Sequence, residues 1–89
     1  RIEEELTDED VKTYYNNIQM LLKEKKYKEA VQYLQENFAT GSMEYLKVAL
    51  TAFDQLNALT EAELLDGGYT RQELYNDLEF ITVQYGIHL

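Results

Sequence analysis

Cysteine, proline and tryptophan are absent from this 89-residue chain, and histidine occurs once. Without cysteine there is neither a disulfide framework nor a thiolate metal site, and because small secreted domains usually depend on disulfides, a reducing, cytoplasmic setting is expected. The single imidazole, His88, stands one residue from the end, so nucleophilic catalysis lacks a sheltered base and partner. Metal ligation is no better served. There is no His-x-x-His or Glu-x-x-His pairing, and the acidic stretch from Asp54 to Asp66 lacks the alternating oxygen ligands and central glycine of a calcium loop. Gly67-Gly68 has neither the following lysine nor the further glycines of a phosphate cradle and reads as a turn. No catalytic residue, metal or cofactor is expected, and the chain is read as a non-enzyme. Apolar runs are short as well: none approaches the roughly 18 residues that span a bilayer, and the N-terminus is acidic where a signal peptide would be basic and then apolar. A chain opening on Arg1 is expected of a processed product or of a piece of something longer.

What is present suits one compact unit. With 45% hydrophobic residues, the chain can close a single core over residues 1–89, with an acidic arm at 1–6. A chain this short buries only about 60–65% of its unfolded surface, so dimerisation would help it, and a homodimer is one expectation. The net charge of −9 is unevenly spread. Residues 1–10 hold six acids against Arg1, residues 50–89 hold seven acids against Arg71, and the middle holds six lysines against four acids. Acid at both ends favours a basic protein partner and disfavours direct nucleic-acid or membrane binding.

Apolar periodicity predicts an all-α bundle. Thr7-Asp8-Glu9-Asp10 offers a capping hydroxyl and carboxylates for a helix N-terminus. Val11, Tyr14, Tyr15, Ile18, Leu21 and Leu22 then recur at steps of three and four, and Tyr27, Ala30, Val31, Leu34 and Phe38 repeat the pattern. A break near Lys25 and Lys26 makes 8–38 a helical hairpin. Gly41 and Ser42 close that unit and cap a central helix over 43–59, whose stripe of Leu46, Ala49, Leu50, Phe53 and Leu56 is widened by Tyr45, Val48, Ala52 and Leu59. Thr60-Glu61-Ala62-Glu63 is a capping box for a short turn at 61–65, and Thr70-Arg71-Gln72-Glu73 is a second one, opening a helix over 71–85. Residues 81–89 fit two templates. As a helix, Leu74, Leu78, Ile81 and Tyr85 share a face and Gly86 ends it, with Ile87 folding back. As a strand, Ile81 to Leu89 alternates without a fault and would pair with another molecule.

Residues 14–37, above all Tyr27-Lys28-Glu29-Ala30-Val31-Gln32-Tyr33-Leu34, resemble one tetratricopeptide hairpin. Tyr14, Leu21, Ala30 and Leu34 fall where that family takes large, aromatic or small residues. Ile18, Asn37 and Ser42 stand where it packs glycine, alanine and proline, and no second copy follows, whereas a solenoid needs about three. The segment is read as a generic tight hairpin. In outline the chain is also similar to bacteriocin and colicin immunity proteins and to phage-encoded inhibitors, a likeness of architecture that no motif carries.

The eight tyrosines supply rigid contact area with a polar tip. Tyr14, Tyr15 and Tyr27 fall on core faces, whereas Tyr33 and Tyr75 fall off them. Phe80 and Val83 lie away from Leu74, Leu78 and Ile81, either to anchor a partner helix or dimer seam or to pack under the acidic arm. Met20 opposes the core face of the first helix in the same way. The lysines at 23, 25, 26 and 28 read as the solvated corner of the hairpin.

The leading expectation is therefore a protein–protein interaction module, an adaptor, regulator or subunit, that binds through Tyr33, Tyr75, Phe80 and Val83. An alternative is an inhibitor or immunity-type protein that blocks a basic nucleic-acid-binding site by imitating phosphate charge with Glu3, Glu4, Glu5, Asp8, Asp66, Asp77 and Glu79. A homodimer joined through its C-terminal segments follows if those segments are strands.

Overall fold

The computed structural model describes residues 2–39 and 41–86; the side chains of Glu3 and Tyr85 lie outside that description. A single 3-10 turn, Ile2–Glu5, leads into five α-helices: α1 (Glu9–Lys23), α2 (Tyr27–Glu36), α3 (Met43–Asn57), α4 (Glu61–Asp66) and α5 (Arg71–Tyr85). Each follows the periodicity that predicts it, and no strand occurs among the described residues.

Helix starts follow local chemistry. Asp8, not Thr7, caps α1, its carboxylate accepting from the amides of Asp10 at 2.8 Å and Val11 at 3.4 Å. Thr7 is occupied elsewhere: its amide and its hydroxyl each donate to the Glu44 carboxylate at 2.9 Å. That contact ties the N-terminal segment to the first turn of α3. Leu6 is buried and Ile2 packs against the core, so the acidic arm is docked by its apolar residues while Glu4 and Glu5 stay exposed. Ser42 caps α3, and Thr60 and Glu63 complete the capping box of α4. The second box is half formed. The Thr70 hydroxyl accepts from the Glu73 amide at 3.2 Å but also donates to the Glu73 carboxylate at 3.0 Å.

The turn between α1 and α2 is tight because Lys25 takes a left-handed conformation at φ 61°. Lys26 then donates its amide to the Leu21 carbonyl and Lys25 donates to that of Leu22, at 2.9 and 3.1 Å, which satisfies two carbonyls left open at the helix end. Gly68 (φ 70°) closes α4 the same way, with Tyr69 donating to Leu64 at 3.0 Å and Gly68 to Leu65 at 2.9 Å. The two turns touch. A Cβ at Gly67 would overlap the Tyr27 ring and stand 2.6 Å from the Lys25 carbonyl oxygen, so only glycine lets these backbones approach.

The core gathers Val11, Tyr14, Ile18, Val31, Leu34, Val48, Ala49, Phe53 and Leu56 from α1–α3 with Leu64 of α4, Tyr69 of the following turn, and Leu74 and Ile81 of α5. Helix α3 is central, packed by α1 on one side and α5 on the other. The radius of gyration of 12.4 Å matches the value of about 12 Å for a compact chain of this length.

The extended alternative for 81–89 is corrected over its described part. Ile81 is fully buried at the end of α5, and Gly86 closes the helix at φ 64° with its amide on the Val83 carbonyl at 3.2 Å. Packing of Ile81 and Leu74 on one face, with glycine in the left-handed cap, outweighs the local alternation. Residues 87–89, including His88, lie outside the described residues.

Candidate partner-binding groove

Helix α5 begins beside the end of α3, and one side chain sets that arrangement. Arg71 donates through its guanidinium to the Asn57 carbonyl (3.2 Å), the Asn57 side-chain oxygen (2.8 Å) and the Leu59 carbonyl (2.6 Å), and its Nε donates to Glu61. It thus caps the negative end of α3 while holding the start of α4. The hydrogen bond it donates to Glu61 raises the Arg71 pKa above its ordinary value, so the group stays charged. From this anchor α5 runs back along α3.

Between them lies a groove of about 200 Å³. Its floor is the buried Phe53 and Leu74; Leu50 and Leu78 form the walls, Tyr75 stands at the edge, and Asp54 is on the rim. Tyr75 is 54% exposed and Leu50 37%. Met43, 63% exposed, lies two turns before Leu50 on the same side of α3, with the exposed Lys47 between them. Sequence reasoning put Leu50 in the core stripe and passed over Met43. The signal available was position: Leu50 borders the polar edge of Lys47, Asp54 and Asn57.

The four expected contact residues do not share one surface. Tyr75 lines the groove, whereas Phe80 is ~140° further round α5, five residues on at about 100° each. Phe80 and Val83 are 40% and 69% exposed, and they line neither of the two grooves that flank α3. Tyr33 is half-buried and used internally: its hydroxyl accepts from the Asn17 amide at 2.8 Å, and its ring lies 5.9 Å from that of Tyr14. Tyr14 in turn packs on Tyr45 at 4.7 Å and donates its hydroxyl to the Leu34 carbonyl at 2.6 Å. Met20 is 54% exposed, on the face of α1 opposite the core.

Several expected charge-imitating acids have structural partners. Asp8 caps α1, Asp66 pairs with Lys25 at 3.0 Å, and Asp77 accepts from the buried Tyr69 hydroxyl at 2.6 Å. Burial, then the Asp77 hydrogen bond, pushes the Tyr69 pKa up and keeps the phenol protonated. The bond with Asp66 likewise raises the Lys25 pKa. Glu4, Glu5 and Glu79 are exposed, and the Glu3 side chain lies outside the described residues. Of the hairpin lysines, Lys28 reaches Glu73 at 3.6 Å and Lys26 reaches Glu24 at 3.5 Å. Among the described residues no group of three or more His, Cys, Asp or Glu is placed to hold a metal ion, and no helix is long and apolar enough to cross a membrane.

Residues 1–86 match a family of unknown function, DUF6483. The chain belongs to that family. No curated protein and no solved structure matches it. The match spans every helix of the fold, so the bundle and its α3/α5 groove both lie within the family unit.

Proposed function

We propose that the chain is a non-enzymatic protein–protein interaction module, an adaptor, regulator or subunit of the cytoplasm, that occupies a partner surface through the α3/α5 groove. The observation that carries this reading is the groove itself, with Leu50 and Tyr75 open to solvent over a buried floor, in a chain whose other aromatic rings are mostly packed inside. At about 200 Å³ the groove is smaller than the roughly 300–1,000 Å³ of small-molecule sites, which favours a few side chains of a macromolecular partner as its occupant.

The phosphate-imitating inhibitor draws less support, because Asp8, Asp66 and Asp77 are committed to the fold. A dimer joined by C-terminal strands loses its premise where Ile81–Tyr85 is helical.

The test is affinity capture from the native host with three forms of the protein: wild type, Leu50→Ser with Tyr75→Ser, and Phe80→Ser with Val83→Ser, each checked for helicity. A partner retained by wild type and lost only with the first pair is the expected result. Loss with the second pair alone moves the contact to the outer face of α5. Retention by both variants, with affinity that collapses at high salt, would instead favour the acidic inhibitor.

A further inference from the structure

We infer that the occupant of the α3/α5 groove is an amphipathic helix whose apolar face is flanked by lysine or arginine; this rests on the reading of the groove as a docking site. The form follows from geometry. No strand edge is offered among the described residues, so an extended peptide has nothing to extend, whereas two adjacent helices with a furrow between them accept a third helix. Leu50 to Asn57 spans seven residues of α3, about 10 Å at 1.5 Å per residue, the distance between positions i and i+7 of a partner helix. Such a helix can set apolar side chains at i, i+3 or i+4, and i+7 over Phe53, Leu74 and Leu78.

The charge of the occupant follows from the rims. Asp54 lies on the α3 side and Glu79, one turn beyond Tyr75, on the outer side of α5; both are exposed, and neither carboxylate makes an ion pair among the described residues. Of the seven acids over residues 50–86, Glu61, Glu63, Asp66, Glu73 and Asp77 have partners within the fold, which leaves Asp54 and Glu79 open. Two cations stand on this side, Arg71 beside Tyr75 and Lys47 toward the Met43 end. A second copy of the chain is disfavoured as occupant, because each carries a net charge of −9 and the approach would set acid against acid. A helix with basic flanks meets the opposite sign at Asp54 on the groove and at Glu79, one turn beyond Tyr75 on α5.

The experiment selects from a displayed library of helix-constrained peptides, free in composition, against the intact protein, with the bound site mapped by amide shift changes. Selected peptides are expected to carry Leu, Met or Phe at i, i+3 or i+4, and i+7 with Lys or Arg beside them, and to shift amides around Leu50, Tyr75 and Leu78. Asp54→Asn with Glu79→Gln should then weaken a selected peptide about fivefold at low ionic strength and remove most of its salt dependence. Leu50→Ser with Tyr75→Ser should weaken it at least tenfold. Groove binders with no excess of basic residues, or ones indifferent to the Asp54 and Glu79 changes, overturn the basic occupant and leave the docking reading standing. Peptides that map elsewhere, or no selected peptide, overturn both.

Discussion

Helix α3 has a groove on either flank, and the two differ in what lies over them rather than in size. On the α1 side a space of about 240 Å³ is lined by Leu22, Tyr27, Leu56 and Leu59. It is bridged at its edge by Gln19 and Gln55, whose side-chain amides exchange hydrogen bonds at 2.8 and 3.0 Å, and Lys23 adds a positive charge. On the α5 side the space is about 200 Å³, no such bridge is seen among the described residues, Leu50 and Tyr75 reach solvent, and Asp54 stands on the rim. Cavity volume does not separate the two flanks. A polar clasp on one side and unclasped apolar side chains with acid on the other do, and this difference is why we propose the α5 flank as the partner surface.

The largest effect should come where both flanks are joined. Gly67→Ala forces a Cβ into the Lys25 carbonyl and the Tyr27 ring, and because backbone cannot yield as a long side chain does, it should cost about 3 kcal/mol. That is a fall in Tm on the order of 15 °C, read by circular dichroism. Gly68→Ala, which meets open space and suffers only from its positive φ, should cost about 1 kcal/mol. Equal losses at the two glycines would show that the backbone approach does not hold the halves together.

Arg71→Lys keeps the charge but not the fork that reaches Asn57, Leu59 and Glu61 at once. A fall in Tm on the order of 5–10 °C is expected, with faster amide exchange in α4 and α5 and little change in α1. Uniform acceleration through all helices would mean that the α5 flank is not held separately. The counterpart on the α1 side is Tyr14→Phe, which strands the Leu34 carbonyl near the end of α2 and should cost about 1–2 kcal/mol while leaving peptide binding at the α5 groove unchanged.

The smallest effect is acid-dependent. Hydrogen bonds from the Thr7 amide and hydroxyl, with help from the Asp8 amide, hold the Glu44 carboxyl below its ordinary value of 4.5. Its folded pKa is therefore depressed: its contribution is complete above the unfolded value and is lost as pH falls through the folded one. Glu44→Gln should flatten the loss of stability below about pH 4.5 in acid titrations followed by circular dichroism. Some slope should remain, because the Glu63 carboxyl, bonded to the Thr60 amide, is depressed in the same sense.

Much of the fold is legible in the sequence because it is encoded locally. Asp8, Ser42, Thr60 and Thr70 mark helix starts, and three-and-four spacing marks the buried face of α1 through α3. The groove is less legible. Leu50 has the same chemistry as its buried neighbours Leu46 and Leu56, and only the position of α5 leaves it at an edge. Tyr33 has the opposite history, since spacing sets it off the α2 stripe and Asn17 and Tyr14 then take it in.

By itself the sequence determined the helices, their order, their caps and the acidic character of both ends, since each depends on residues within a turn or two of one another. Tertiary structure decided which tyrosines and leucines face solvent, which acids are committed to partners inside the fold, and that 81–85 continues as helix. Those outcomes depend on contacts between residues distant in the chain, such as Arg71 with Asn57, Asn17 with Tyr33, and Gly67 against Lys25, where packing and backbone approach outweigh local preference.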